Sequence, residues 1–330
     1  MNRLLPRLPV DPYILAIGGM VALASLLPVR GDGAVAAGYA TKAAIALLFF
    51  LHGARLQPKA ALADARNRRL HVAVFASTFL LFPALGLAAR AAAPTLLTPP
   101  LWTGLLLLCV LPSTVQSSIA FTSIARGNVP AALCAATASN LLGILLTPLL
   151  AGLLLSAQGG FSLHAAGDVV LQLLLPFAAG RIARRWIATW ANRNKTLLGL
   201  VDRGSILLVV YAAFSEGVTH GIWHQLDTGR LATLVLLDAA LLGAVLLATS
   251  GISRVLGFTR AGAITTVFCG PKKSLASGLP MASVLFASQP VGLIILPLML
   301  FHQIQLMACA ALARRYAAAS KQLPAVSARA

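Results

Sequence analysis

Runs of about twenty apolar residues, each closed by a short polar or basic segment, follow one another along most of this 330-residue chain. The hydrocarbon core of a bilayer is about 30 Å thick, which about twenty residues of α-helix cross. A membrane barrel alternates apolar and polar residues over about ten positions instead, and these runs do not. The runs therefore predict an all-α polytopic membrane protein. A composition of 58% apolar and 10% charged residues agrees with that class and not with a soluble enzyme.

Ten spans are predicted, at about 12–28, 34–52, 71–90, 101–125, 129–155, 167–187, 199–218, 231–252, 261–287 and 290–315. A secretory leader is the rival reading of the first, but its apolar run continues past Ala24 to Leu27. The basic residues sort by side. Arg3, Arg7, the 53–70 loop, Arg126, the 181–195 loop, Arg254, Arg260 and the tail fall on one side, against Arg30, Arg90 and Arg230 on the other. By the positive-inside rule both termini lie in the cytoplasm, in a bacterial inner membrane. The net charge of +18 thus belongs to membrane loops, and no nucleic-acid partner is implied. Cys109, Cys134, Cys269 and Cys309 all fall inside spans, as small apolar residues without metal or redox spacing. Nothing in the sequence fixes the oligomeric state.

The ninth span carries two adjacent lysines, Lys272 and Lys273, preceded by Gly270-Pro271. A charge at mid-depth marks a functional site by default. Glycine and proline end a helix, and proline suits the first turn of the next one. The expectation is a broken helix with both lysines at the N-terminus of its second half, handling an anion.

The chain also repeats. Pro112 and Pro271 lie about 160 residues apart, each followed six positions later by serine, Ser118 and Ser277, and Pro130 and Pro290 keep the same offset. Five spans per half turn the second half upside down. The prediction is two inverted five-helix repeats, 1–157 and 158–320, with a tail at 321–330 and breaks in helices 4 and 9.

The first-half counterpart of the lysine stretch is Ser113, Thr114, Gln116, Ser117 and Ser118 after Pro112. Hydroxyls, amides and freed carbonyls there can ligate a cation or a polar substrate; packing between helices is the plainer alternative. Thr137, Ser139 and Asn140 on the next span, and Ser274 and Ser277 on the ninth, extend the set. Asp238 and Thr78 occupy matching repeat positions. Asp238 is expected to pair with Lys272 or Lys273, either as a proton-carrying pair or as a static one. Lys42, Glu216 and His302 receive no role. His220 and His224 have metal-compatible spacing but no third ligand, so no metal site is expected. No nucleophile–base pair or phosphate loop points to an enzyme.

Four motifs carry a resemblance: Leu48 to Leu56 (LFFLHGARL), Leu111 to Ser118 (LPSTVQSS), Ala125 to Asn128 (ARGN) and Phe268 to Gly278 (FCGPKKSLASG). The chain resembles the bile acid:sodium symporter superfamily, in a branch of bacterial proteins with one vertebrate relative. The resemblance implies a panel domain of spans 1, 2, 6 and 7. It also implies a core domain of spans 3–5 and 8–10, with helices 4 and 9 broken where they cross and core moving against panel. It implies transport of a small organic anion, with the lipid bilayer as the other partner and no cofactor beyond sodium or a proton as coupling ion. The family's polar pair on span 4 matches Ser117 and Ser118, while its span 5 hydroxyls fall at Ala132 and Ala136. Its span 9 acid falls at Phe268, the neighbouring glutamine at Lys272 and the span 3 glutamine at Thr78. The expectation is that Lys272 or Lys273 supplies the positive charge that sodium supplies in relatives. The resemblance leaves one alternative class, a non-transporting membrane regulator of calcium homeostasis.

Overall fold

The computed structural model describes residues 12–55, 67–156, 163–219, 221, 226–287 and 289–321. Arg3, Arg7, Lys59, Arg66, His220, His224, the 157/158 repeat boundary and the tail beyond Lys321 lie outside the described residues. In order the helices are α1 (Pro12–Leu26), α2 (Asp32–Arg55), α3 (Arg68–Ala76), a π-helical turn (Ser77–Leu81), α4 (Phe82–Ala92), α5 (Pro99–Val110) and α6 (Gln116–Ile124). There follow α7 (Val129–Ser156), α8 (Leu163–Arg193), α9 (Lys195–Thr219), α10 (Thr228–Val255), α11 (Arg260–Cys269), α12 (Leu275–Leu285) and α13 (Val291–Lys321). No strand occurs among the described residues. Six segments are long and apolar enough to cross a bilayer: α2, the α3–α4 stretch, α7, α9, α10 and α13. Shorter apolar helices accompany them, among them α5 and α12.

The chain divides into two compact units. The first comprises residues 1–55, 176–225 and 286–292. Within it α9 packs against α1 and α2. The second half of α8 crosses α2 at near backbone contact: a Cβ on Gly53 would lie 2.0 Å from the Phe177 oxygen, and one on Gly180 would lie 1.9 Å from the Phe50 oxygen. Leu51, Ala191 and Leu198 close the core beside that crossing, with Phe50 and Val201 against them. Arg55 and Asp202 form an ion pair between α2 and α9.

The second unit comprises 56–175, 226–285 and 293–330. Among the described residues its helices bury two apolar clusters. One joins Leu70, Val74, Ala131, Ala132, Ala135 and Cys269. The other joins Ala125, Ile264, Phe268, Cys309 and Ala313, with Phe121 and Tyr316 packed on it. The small residues let α7 and α11 approach closely, as helices in lipid favour.

Both expected breaks are present. Leu111 is extended (φ −71°, ψ 151°), as the residue before a proline must be, and α6 starts only at Gln116. Gly143 on α7 makes room for the break: a Cβ there would lie 2.6 Å from Pro112 Cβ. Helix α11 stops at Cys269, but the next helix does not start at Pro271. Ser274 accepts the Ser277 N–H at 3.2 Å and so caps α12, which begins at Leu275. Lys272 and Lys273 therefore lie in the break itself and not in the first turn of a helix. The cap position, three residues beyond the proline, decides this.

Candidate functional site

Two interrupted helices leave main-chain groups without helical partners, and each must be satisfied where no water reaches. In the second unit these groups satisfy one another across the two breaks. The Ser274 N–H donates to the Pro112 oxygen at 2.9 Å, so the breaks touch. The Ser113 N–H donates to Ser139 Oγ at 3.0 Å, and Ser113 Oγ donates to the Cys269 oxygen at 2.8 Å. Thr147 Oγ1 caps the Val110 oxygen at 2.8 Å. Asn140 Nδ2 donates to the Ser113 oxygen, and its Oδ1 accepts from Ser277 Oγ at 2.9 Å. Ser277 Oγ also meets Ser274 Oγ at 3.1 Å, while Thr114, Ser117 and Ser118 hydroxyls cluster at the start of α6.

Lys273 reaches further. Its ammonium donates to the main-chain oxygens of Thr78, Cys109 and Leu111, each at 2.8 Å, and lies 4.2 Å from the Phe82 ring centroid. All three carbonyls are free for definable reasons. Cys109 and Leu111 stand at the end of α5, and the Ser113 N–H that would have served Cys109 is turned to Ser139. Thr78 lies in the π-helical turn. There the Phe82 N–H donates to the Ser77 oxygen, one residue further back than in an α-helix. The next residue, Pro83, has no N–H to offer Thr78. Lys273 Nζ thus sits within a cage of three main-chain oxygens. Gln305 holds its backbone in place, accepting the Lys273 N–H and donating to the Lys273 oxygen, both at 2.9 Å.

Lys272 is placed differently. Its ammonium lies 4.2 Å from the Phe121 ring centroid, beside the thiol of Cys309, and has no oxygen acceptor among the described residues. Both lysines are fully buried. Asp238 on α10 is fully buried too, yet neither carboxyl oxygen has a hydrogen-bond partner among the described residues. The expected ion pair of Asp238 with Lys272 or Lys273 does not form, because the carbonyl cage holds one ammonium and an aromatic face holds the other. Thr78 does join the site, through its main-chain oxygen, and its hydroxyl reaches the Gly270 oxygen at 3.4 Å.

Of the other expected residues, Ser113, Thr114, Ser117, Ser118, Ser139, Asn140, Ser274 and Ser277 are brought together. Gln116 is exposed at the start of α6, and Thr137 is half-buried on α7 and is not drawn in. Lys42 is exposed along α2, 6.0 Å from the Tyr39 ring centroid. Sequence reasoning missed Gln305 and Thr147 as members of the site. A glutamine within an apolar span was the available signal for the first.

The chain is 54% identical to the uncharacterized protein PA2026 of Pseudomonas aeruginosa over 314 residues, 94% of each chain. It is 51% identical over 317 residues, 96% of each chain, to YfeH of Escherichia coli K12, which is named as a candidate symporter. It is 28% identical over 312 residues to sodium/bile acid cotransporter 7-A of Xenopus laevis, covering 92% of this chain and 91% of that one. The family described as SBF-like CPA transporters matches residues 11–318, nearly the whole chain, and the protein belongs to it.

Proposed function

We propose that the protein is a secondary active transporter of a small organic anion in which a covalently tethered ammonium takes the place of a coupling cation. The carrying observation is the Lys273 cage, three main-chain oxygens around one nitrogen at 2.8 Å. Carbonyls freed by helix breaks are the donors from which transporters of broken-helix architecture build cation sites. A sodium ion next to a fixed ammonium is repelled in a poorly screened interior, so the two exclude each other. Lys272, with an aromatic face and a thiol for neighbours, is the group left to meet an incoming anion. Ser113, Thr114, Ser117, Ser118, Asn140, Ser274 and Ser277 supply the hydroxyl and amide wall that orients it. The driving force in this reading is proton movement through Asp238 or exchange of one anion for another.

The reading takes the chain as ten spans in two inverted repeats, 1–157 and 158–320. Supporting it are the paired breaks after Pro112 and Pro271 and the way each compact unit draws segments from both halves of the chain. Both termini then face the cytoplasm of the inner membrane, on the side where the basic loops gather. The test is flux of organic anions into proteoliposomes, measured in sodium and in choline buffer. Equal rates in the two are expected; a strict sodium requirement overturns the tethered-cation assignment.

A further inference from the structure

The second half of α8 carries a feature that transport chemistry leaves unused. Between Asp168 and Asp202 the chain contains no acidic residue, yet it holds Arg181, Arg184, Arg185, Arg193 and Lys195. Arg181 and Arg185 lie one turn apart on α8, and with Arg184 and Ala188 they border an open depression of about 590 Å³. Beside this basic face runs an apolar stripe at helical spacing. Ile182 is 61% exposed, Trp186 65% and Trp190 49%. The Arg185 guanidinium stacks 3.7 Å from the Trp186 ring centroid, which ties the two faces together.

The depth of this face follows from its neighbours in the same unit. Gly180 of α8 touches the backbone of Phe50 in α2. At that level both helices change character: α2 passes from Leu51 to His52 and Arg55, and α8 passes from Gly180 to Arg181. Two adjacent helices that turn basic at one height mark the boundary between hydrocarbon and headgroups, where tryptophan and arginine gather. A charge run facing only water does not need three large exposed apolar side chains alongside it. The acid that next follows in the chain, Asp202, is engaged by Arg55. Among the described residues no carboxylate pairs with Arg181 or Arg185, which leaves both guanidinium groups open to an anion from outside. Guanidinium groups present forked donors that match phosphate oxygens.

We propose that the Arg181–Arg185 face of α8, with Trp186 and Trp190, is a binding site for the phosphate headgroup of an anionic phospholipid. The arginines hold the phosphate, and the indole rings and Ile182 lie along the glycerol backbone and upper acyl chains.

The test uses the full chain purified in detergent. Phosphatidylglycerol or phosphatidylcholine is added, and bound lipids are counted by native mass spectrometry, with melting temperature followed in parallel. Phosphatidylglycerol should bind more tightly and raise the melting temperature more than phosphatidylcholine, and its advantage should shrink in high salt. Arg181→Gln/Arg185→Gln should weaken phosphatidylglycerol binding about fivefold per arginine removed, while Trp186→Ala weakens both lipids alike. Both positions are exposed, so the variants should keep the melting temperature of the lipid-free parent. Equal retention of the two lipids by the parent overturns the proposal. So does equal stabilisation by glycerol 3-phosphate, which would assign the face to a soluble phosphate. A change from dimer to monomer in the arginine variant with an unaltered lipid count would assign it to a second copy of the chain, and also overturns it.

Discussion

The ammonium of Lys273 sits 2.8 Å from the main-chain oxygen of Thr78, an oxygen that has lost its helical donor because Pro83 cannot supply one. Lysine and carbonyl are 195 positions apart in sequence, and the contact joins the two halves of the proposed repeat. If the ammonium satisfies the cage, removing it should leave three buried acceptors bare. Lys273→Met keeps the length of the side chain and removes the donor. It should cost about 3 kcal/mol or more, at about 1 kcal/mol or above for each buried acceptor left unpaired. Thermal unfolding of the purified protein would register this as a clear fall in melting temperature. Lys273→Ala, which also opens space, should recover part of the loss in sodium or methylammonium buffer but not in the bulkier choline.

Lys272 should respond in the opposite way. Among the described residues its ammonium makes no hydrogen bond to an oxygen, so its removal leaves no carbonyl or hydroxyl bare. Exchanging a buried unpaired charge for an apolar side chain of similar volume is neutral or stabilising. Lys272→Met should therefore keep or raise the melting temperature while abolishing anion flux in proteoliposomes. A variant that unfolds would assign Lys272 to structure and not to substrate.

These two adjacent lysines show where sequence reading succeeds and where it stops. The breaks were legible, because proline and glycine act on their own backbone and need no distant partner. The division of roles was not. Lys273 is held by main-chain oxygens, which carry no residue-specific signature, and one of them is exposed by a π-helical turn just before Pro83. The expected Asp238–lysine pairing rested on mid-span depth and opposite charge and ignored carbonyls as competitors for an ammonium. The hydroxyls that gather at the two breaks stand out in the sequence because they crowd around two prolines. Gln116 fell outside because adjacency in sequence does not give a side chain the inward face of α6. The residue that fixes the Lys273 backbone, Gln305, lies on another helix, and only its polarity hinted at it.

Pro83 offers a test of the π-helical turn. Pro83→Ala restores an N–H and removes the ring that keeps the preceding turn wide. The segment should relax toward a regular α-helix and draw the Thr78 oxygen back into it. Hydrogen exchange at residues 77–83 should then slow, as befits a completed ladder, while exchange around Lys273 speeds up because one wall of its cage is gone. Unaltered exchange at both places would sever the link between the proline and the site.

Asn140 joins the two breaks through one side chain, donating to the Ser113 oxygen and accepting from Ser277. Asn140→Leu has similar volume and neither function, so it should cost about 1–3 kcal/mol for the buried partners it abandons. Asn140→Ala/Ser277→Ala should cost less than the sum of the two single changes, since the Ser277–Asn140 bond can be lost only once. Equilibrium unfolding of the four proteins in a common detergent gives the coupling directly. Strict additivity would mean the bond contributes nothing to the crossing.

The α2–α8 crossing tests the first unit. A methyl group on Gly180 would stand 1.9 Å from the Phe50 oxygen, and one on Gly53 would stand 2.0 Å from the Phe177 oxygen. Neither obstacle is a flexible side chain, so only movement of a whole helix relieves the clash, and close-packed interiors resist that. Gly180→Ala and Gly53→Ala should each destabilise by about 1–3 kcal/mol or more, the range for overpacking. The helices are pushed apart at one place in both variants, so Gly53→Ala/Gly180→Ala should cost less than the sum of the single changes. Gly199→Ala on α9, where a Cβ meets nothing within 4 Å, is the control that should leave the melting temperature unchanged or slightly higher.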